Sequence, residues 1–500
     1  MIMAKETYQE LKQRMEKIAD LKFSSAVLQW DQETYLPENG NQHRGRQIAT
    51  LSEIAHEMFT SNQTGTLLNK LQTCLTELDV SAQKNVSLCL EDYQKNQKLP
   101  STFVRQQSEA IQQSFHAWML ARKANRFDIF SEPLQKVVEL KRREAELLGY
   151  NHHPYDALMN DYDRGLTVSF TDRLFEQLRI ELSPLLQHIR NASPVDNSFL
   201  HRTFDKDKQW KFGMELLQSL HFDFTSGRQD LSEHPFTTNF NAKDVRITTR
   251  IDEQDFANMT WSCIHECGHA LYEQGLPDEQ YGMPLGEYCS LSIHESQSRL
   301  WENCIGRSRR FWMGKWDLLK KYFNEELKGI DIDMFYRGIN RVVPSLIRTE
   351  ADELTYHYHV MIRYEIEKNL IEGSMQATDI PAIWNELYRN YLGIEVPDDK
   401  NGCLQDVHWS HGSFGYFATY SIGSLYAAQF WKQIQQDHAA IAKEIELGNT
   451  ATALDWLRKN IHTYGRGMSS SEICQKVTGE ILNPSYFVEY VKEKFYDIYP

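Results

Sequence analysis

The sequence predicts a mainly α-helical protein with one small β-sheet near its middle, and three observations predict it. Turn-forming residues are scarce, with 25 Gly and 14 Pro in 500 residues, below the average usage of about 7% and 5%. Apolar residues recur at spacings of three and four along most of the chain. One short stretch, VRITTRI at 245–251, concentrates β-branched residues between charged and polar ones and reads as a strand.

Taken in order, residues 1–25 form an amphipathic helix on Tyr8, Leu11, Met15, Ile18 and Leu21. LPENGNQ (36–42) is a turn. Helical spacing resumes over 43–60 through Ile48, Leu51, Ile54 and Met58. Further helices are predicted at about 64–75, 80–97, 101–124 and 131–148. NHHPYDALMNDYDRGL (151–166) is a loop-rich break, followed by helices over 168–191 and 206–219. The texture changes near 229, where residues 230–252 are rich in Thr, Phe and Asn. Helical spacing returns at about 253 and continues to 500. There is no internal repeat, no low-complexity segment and no Gly/Ser/Pro linker. One domain over 1–500 is expected, with a helical N-terminal part (1–228) and a catalytic part (229–500).

Composition excludes several function classes. Hydrophobic residues at 41% and charged ones at 25% are ordinary for a soluble globular protein. A formal net charge of −15 argues against nucleic acid and anionic membranes as partners. No apolar run is long enough to span a bilayer. The first 22 residues are charged and amphipathic, without the apolar segment of a signal peptide, so a cytoplasmic location is expected. The eight cysteines (74, 89, 263, 267, 289, 304, 403 and 474) form no C-x-x-C pair and read as free thiols.

The chemistry concentrates in WSCIHECGHALYEQGL (261–276). With 18 His in the chain, a chance H-E-x-x-H is expected at roughly a few per cent, so the pattern alone does not decide. Its geometry says more. Positions i and i+4 share a helix face, so His265 and His269 can aim two imidazoles at one ion. Glu266, directly after the first ligand, can reach a water on that ion. Catalytic zinc takes three protein ligands and leaves a position for water, so a third ligand is needed. Cys263 and Cys267 lie on the same helix, but the histidines already occupy the metal-facing side. Glu273 is too far round the ion, and Glu279 and Glu287 fall in a Gly/Pro-rich connection. In SLSIHESQSRLWENC (290–304), Glu295 and Glu302 stand two turns apart, and spacing alone leaves both open.

HECGHALYEQG followed by IHESQSRLWEN resembles the carboxypeptidase Taq family of zinc metallocarboxypeptidases. Further segments match in order. They are WDQETYLPENG, GYNHHPYDAL (149–158), HPF (234–236), and Asp244, Arg246 and Thr248 as D-x-R-x-T. IRTEADELTYH (347–357), GCLQDVHW (402–409), and His462, Gly465, Glu472 and Thr478-Gly479 complete the series. The resemblance implies zinc held by His265, His269 and Glu295, with cobalt able to substitute. It also implies a helical fold with a deep cleft, like neurolysin and angiotensin-converting enzyme, and a homodimer. Three positions depart from the pattern: Cys267 within the metal motif, YFATY (416–420) for Y-F-P-T-Y, and Ile473 after Glu472. None is a ligand, and Cys267 is expected to pack in the core.

The expected reaction removes single C-terminal residues from peptides with a free C-terminus, with broad preference and poor action on Pro. Glu266 serves as general base and acid. The resemblance puts His408 and Tyr420 on the substrate side, with Tyr420 the oxyanion donor. A terminal carboxylate calls for a guanidinium. Arg348 is the choice, set against a plain ion pair with Asp352 along one helix. Arg246, on a strand to which an extended peptide is expected to add, and Arg466 are further cations. Asp352 or Glu353 is a candidate to orient a metal histidine. His234 is placed near the cleft without a role, and the pair 152–153 is expected to be structural. Two rival readings remain, an endo-oligopeptidase with the same metal site and a catalytically silent peptide-binding protein.

Overall fold

The structure is a computed structural model that describes residues 2–500. The long amphipathic runs become helices close to the predicted bounds. Val80–Gln97, Ser101–Ala124, Val168–Asn191 and Lys206–Ser219 agree with the sequence reading, and the first helix is longer than predicted, Ile2–Thr34. Its extension carries Trp30, which is buried. The predicted turn at 36–42 is a 3₁₀ turn, Glu38–Gly40, followed directly by the helix Asn41–Thr60. Among the described residues no helix is long and apolar enough to cross a membrane.

The chain divides into two compact units. The first is built from Met1–Asn96, Val195–Ile339 and Tyr426–Leu482, and the second from Gln97–Pro194, Asn340–Leu425 and Asn483–Pro500. In the first unit, the N-terminal helices share an apolar cluster that includes Leu11, Ile18, Leu68, Leu71 and Val86. Each such side chain contributes about 1.5–3 kcal/mol on burial. A second cluster is aromatic. Phe204, Phe212, Phe256 and Phe323 pack in tilted and edge-to-face pairs with centroids 5.1–6.0 Å apart and anchor the start of the helix Phe256–Glu273.

The sheet has three strands, β1 (Gly227–Leu231), β2 (Thr237–Asn241) and β3 (Asp244–Thr249), in the order β1-β3-β2. The sequence reading found only β3, at 245–251. β1 pairs with it in parallel and β2 antiparallel. β3 is therefore central, with both edges already hydrogen-bonded. A peptide cannot add to it, which corrects the expectation that this strand would receive substrate. The free edges belong to β1 and β2.

Candidate metal centre and active site

Two helices of the first unit carry the HECGH and HESQ motifs. Phe256–Glu273 is capped by Asp255, whose side chain accepts from the Ala257 N–H. Leu291–Arg299 is capped by Ser290, which accepts from Ile293 N and pairs with Ser470 Oγ at 2.7 Å. The helices meet at Gly268. A Cβ there would lie 2.6 Å from Ser298 Cα and 2.8 Å from the Gln297 carbonyl oxygen. Only glycine permits that approach, which brings Glu295 level with the two histidines.

His265, His269 and Glu295 converge, their donor atoms all within 4.8 Å of one another. Glu295 Oε2 lies 3.9 Å from His265 Nε2 and 3.5 Å from His269 Nε2. Ligands at about 2.0–2.1 Å from one tetrahedral ion stand about 3.3–3.5 Å apart, so the set fits a divalent metal with little adjustment. Arg299 Nε holds the other Glu295 oxygen at 2.7 Å, leaving Oε2 as the metal-facing atom.

The outer nitrogens of both histidines are engaged. His265 Nδ1 donates to Glu302 Oε2 at 2.9 Å. Glu302 is fixed in turn by Arg299 and Arg307 at 3.3 and 3.0 Å. It lies in a π-helical segment, Leu300–Gly306, that continues the HESQ helix; such widened turns recur at functional sites. His269 Nδ1 meets His294 Nδ1 at 2.6 Å, and His294 Nε2 donates to Glu273 Oε1 at 2.7 Å. One tautomer assignment satisfies the whole chain and leaves each Nε2 lone pair aimed at the metal position. Burial pushes the His269 imidazole down to about 3, which keeps it neutral, as a ligand must be. Burial alone would raise Glu295 and Glu302. Arg299 and His265 outweigh it at both, with Arg307 adding to the effect on Glu302, and both carboxyls are held well below the usual range.

The orienting groups are thus Glu302, His294 and Glu273, in place of the expected Asp352 or Glu353. Asp352 accepts from Leu354 N, Thr355 N and Thr355 Oγ1, and Glu353 pairs with Lys494 at 2.6 Å. Glu302→Gln is expected to weaken metal binding roughly tenfold, the low end of the 10–100-fold range for such partners, because the amide still accepts from Nδ1. Competition with a chelator measures it, and unchanged affinity would remove Glu302 from this role.

Glu266 is buried, at 8% exposure. Its Oε2 accepts from Thr237 Oγ1 at 2.6 Å. Burial raises its carboxyl above the usual value, with His265 and the Thr237 hydrogen bond opposing. That direction suits a group that takes up a proton and returns it. Cys267 is fully buried, and burial pushes its thiol far up, in keeping with a packing role.

The remaining sequence candidates divide between the units. In the first, Arg246 is spent on Asp244, with Nε and Nη2 both at 2.9 Å, and its Cζ lies 4.3 Å over the Trp30 ring. Arg466 clamps Asp92 with two bonds of 2.6 Å. His234 is exposed, and its carbonyl accepts from Ser232 Oγ.

In the second unit, Arg348 opens a short 3₁₀ turn, Arg348–Glu350, so the ion pair with Asp352 along one helix does not form. Its partner is Asp406. Nε and Nη2 donate to Asp406 Oδ1 at 3.0 and 2.8 Å, and Nη1 to the Tyr356 hydroxyl at 3.0 Å. Arg363, fully buried, donates to Asp406 Oδ2 at 2.6 Å. Arg348 Cζ also lies 5.1 Å from the Tyr420 ring. His408 Nε2 is 3.4 Å from the Tyr420 hydroxyl, and burial pushes its imidazole down to about 3, so it is neutral. The loop between His408 and Tyr420 is tied to Glu367, which accepts from Tyr155 Oη, from Trp409 Nε1 at 2.8 Å and from Gly415 N at 2.8 Å. Burial lifts the Glu367 carboxyl to about 7.

The model for the carboxypeptidase Taq (M32) metallopeptidase family matches residues 10–495. The chain belongs to that family. Carboxypeptidase 1 of Bacillus subtilis is 36% identical over 486 residues, covering 97% of each chain. The solved structure of CHT is 56% identical, with a TM-score of 0.97 over 98% of this chain and 99% of its own. An M32 carboxypeptidase from Deinococcus radiodurans R1 is 36% identical, with a TM-score of 0.96 over 99% of each chain. Membership makes the chain a metallocarboxypeptidase and agrees with the mainly helical fold and with a divalent metal at the convergent triad.

Thr237, Glu302, His294, Glu273, Arg299 and the Arg363–Asp406 pair were not assigned these roles from sequence. Partial signals existed. Glu302 stands seven residues from Glu295, and His294 belongs to the HESQ motif itself. Nothing in the local sequence links Thr237 to Glu266.

Proposed function

We propose that this metallopeptidase releases single C-terminal residues from peptides, with zinc held by His265, His269 and Glu295 and with Glu266 moving the proton. Cobalt is expected to substitute. Broad preference with Pro disfavoured, a homodimer and a cytoplasmic location rest on the family resemblance. The ion supplies an acidified water and Lewis-acid polarisation of the scissile carbonyl. Glu266, with Oε2 held by Thr237, takes the water proton on Oε1 and passes it to the leaving amine. Tyr420 donates its phenol hydrogen to the developing oxyanion, and neutral His408 stands beside that phenol.

The observation that carries the exopeptidase reading is the uneven charge around Arg348. Two buried guanidiniums share the single carboxylate of Asp406. Arg348 still has an N–H on each terminal nitrogen beyond its bonds to Asp406 and Tyr356. A substrate carboxylate supplies the missing negative charge and accepts both.

The test uses one peptide prepared as free acid and as amide, with and without chelator, followed by mass spectrometry. Stepwise loss of single residues from the acid alone, abolished by chelation, is expected. Internal cuts in both forms would identify an endo-oligopeptidase, and no cleavage with metal bound would revive the silent binder. Arg348→Ala is expected to raise KM for the free acid roughly 10–100-fold, the worth of a charged hydrogen-bonded contact, with little change in kcat. An unchanged KM would assign the carboxylate to another cation.

A further inference from the structure

We propose that Thr237 is the positioning residue of Glu266, holding one carboxylate oxygen so that the other is presented to the reacting water. The inference rests on the role given to Glu266 above and adds the residue that sets its geometry. Thr237 Oγ1 lies 2.6 Å from Glu266 Oε2. Among the described residues, no other side chain hydrogen-bonds that carboxylate. The terminal torsion of a Glu side chain is broad and has no strong well of its own. Without a donor the two oxygens are equivalent and the carboxylate samples many orientations. With Thr237 in place they are distinct.

The strand is built to deliver that hydroxyl. Thr237 and Asn239 lie on one face of β2, two residues apart. Glu266 and Glu273 lie on one face of the HECGH helix, seven residues apart. Thr237 bonds Glu266, and Asn239 Nδ2 donates to Glu273 Oε2 at 2.6 Å. β2 is thereby pinned to the helix at two points, its first residue and its middle. One contact holds the proton-transfer group, and the other holds the carboxylate behind His294. The entry to β2 is fixed as well. Phe236 N donates to Thr248 Oγ1 at 2.9 Å, and Thr248 N donates to the Phe236 carbonyl at 2.9 Å. Ser232 Oγ closes the same turn on Thr248 Oγ1 at 2.7 Å. These contacts tie the HPF segment to β3 and give it a structural purpose that needs no role for the His234 ring.

The test compares Thr237→Val, Thr237→Ser and Glu266→Gln in the metal-loaded full chain. Valine matches threonine in shape and suits a strand, while serine keeps only the hydroxyl. Thr237→Val is expected to lower kcat roughly 10–100-fold, the scale for small misplacement of a catalytic group. KM and chelator-measured metal affinity are expected to stay unchanged. Thr237→Ser is expected to recover most of the rate. A packing role predicts the reverse order, with valine tolerated and serine impaired. Wild-type kcat in Thr237→Val, or equal losses in both variants, would overturn the inference. Glu266→Gln separates the two levels. If it is inactive while Thr237→Val is normal, only the positioning role fails. If Glu266→Gln is itself active, the proton-transfer assignment fails whatever Thr237 does.

Discussion

Glu266→Gln is expected to bind metal as the parent does and to lose turnover by about 10⁴-fold. The substitution preserves shape, and the amide oxygen still accepts from Thr237. It removes the only property that the reaction needs there, a basic oxygen that takes a proton and gives it back. A positioned proton-transfer group contributes roughly 10²–10⁴-fold. The upper end applies because deprotonation of the water and protonation of the leaving amine both run through the same carboxyl. The ligands are left alone. Glu295 Oε1 stays on Arg299, and the outer nitrogens of His265 and His269 stay on Glu302 and His294. The measurement pairs kcat on a free-acid peptide with metal content after gel filtration. A variant that keeps a tenth of its turnover would remove Glu266 from proton transfer. A variant that loses its metal would place Glu266 in the coordination shell.

The sequence carried the two histidines because helical spacing converts directly into space, while Glu295 was separated from Glu302 by the family resemblance alone. Two histidines four apart share a face whatever surrounds them, and the packing of HESQ against HECGH is written in Gly268. Helix bounds were legible for the same local reason. What lay beyond reach depends on long-range partners. Thr237 meets Glu266 and Asn239 meets Glu273 only after three short strands assemble, and two of those strands carry no clear alternating pattern, as in Thr237–Asn241, where only Phe240 is buried. The π-helical turn at Leu300–Gly306 was invisible to a 3.6-residue period, although it carries Glu302, which orients His265. The division into two units left no linker to find, because each unit draws on three separated stretches of chain. Arg348 was chosen for its chemistry. Its ion-pair partner stands 58 residues away rather than four, a distance that no helical rule covers.

Asp406→Asn is expected to cost about 3–5 kcal/mol of stability, the scale for breaking a buried ion pair. Asp406 is the counter-charge for two guanidiniums, those of Arg348 at 6% exposure and Arg363 at 0%. Asparagine keeps the volume and one acceptor but leaves two buried cations facing each other. Removing one partner of a buried ion pair typically costs about 3–5 kcal/mol, because the remaining charge stays desolvated. Set against the usual 5–15 kcal/mol of native stability, that is enough to lower the midpoint of denaturation sharply. The acid dependence gives a second readout. Burial favours the neutral form of Asp406, but the two arginines outweigh it and hold the carboxyl far below its unfolded value. A depressed folded pKa stabilises above the unfolded value of about 3.9 and ceases to do so as pH falls through the folded one. The gap between parent and Asp406→Asn is therefore expected to be full near pH 7 and to narrow in strong acid. Adding Arg363→Met to Asp406→Asn removes one of the two stranded cations and is expected to recover part of the loss. A single-variant cost below about 1 kcal/mol, or a double variant no better than the single, would mean that the cluster is neutralised by another route and that its surplus positive charge is not held in reserve for a substrate carboxylate.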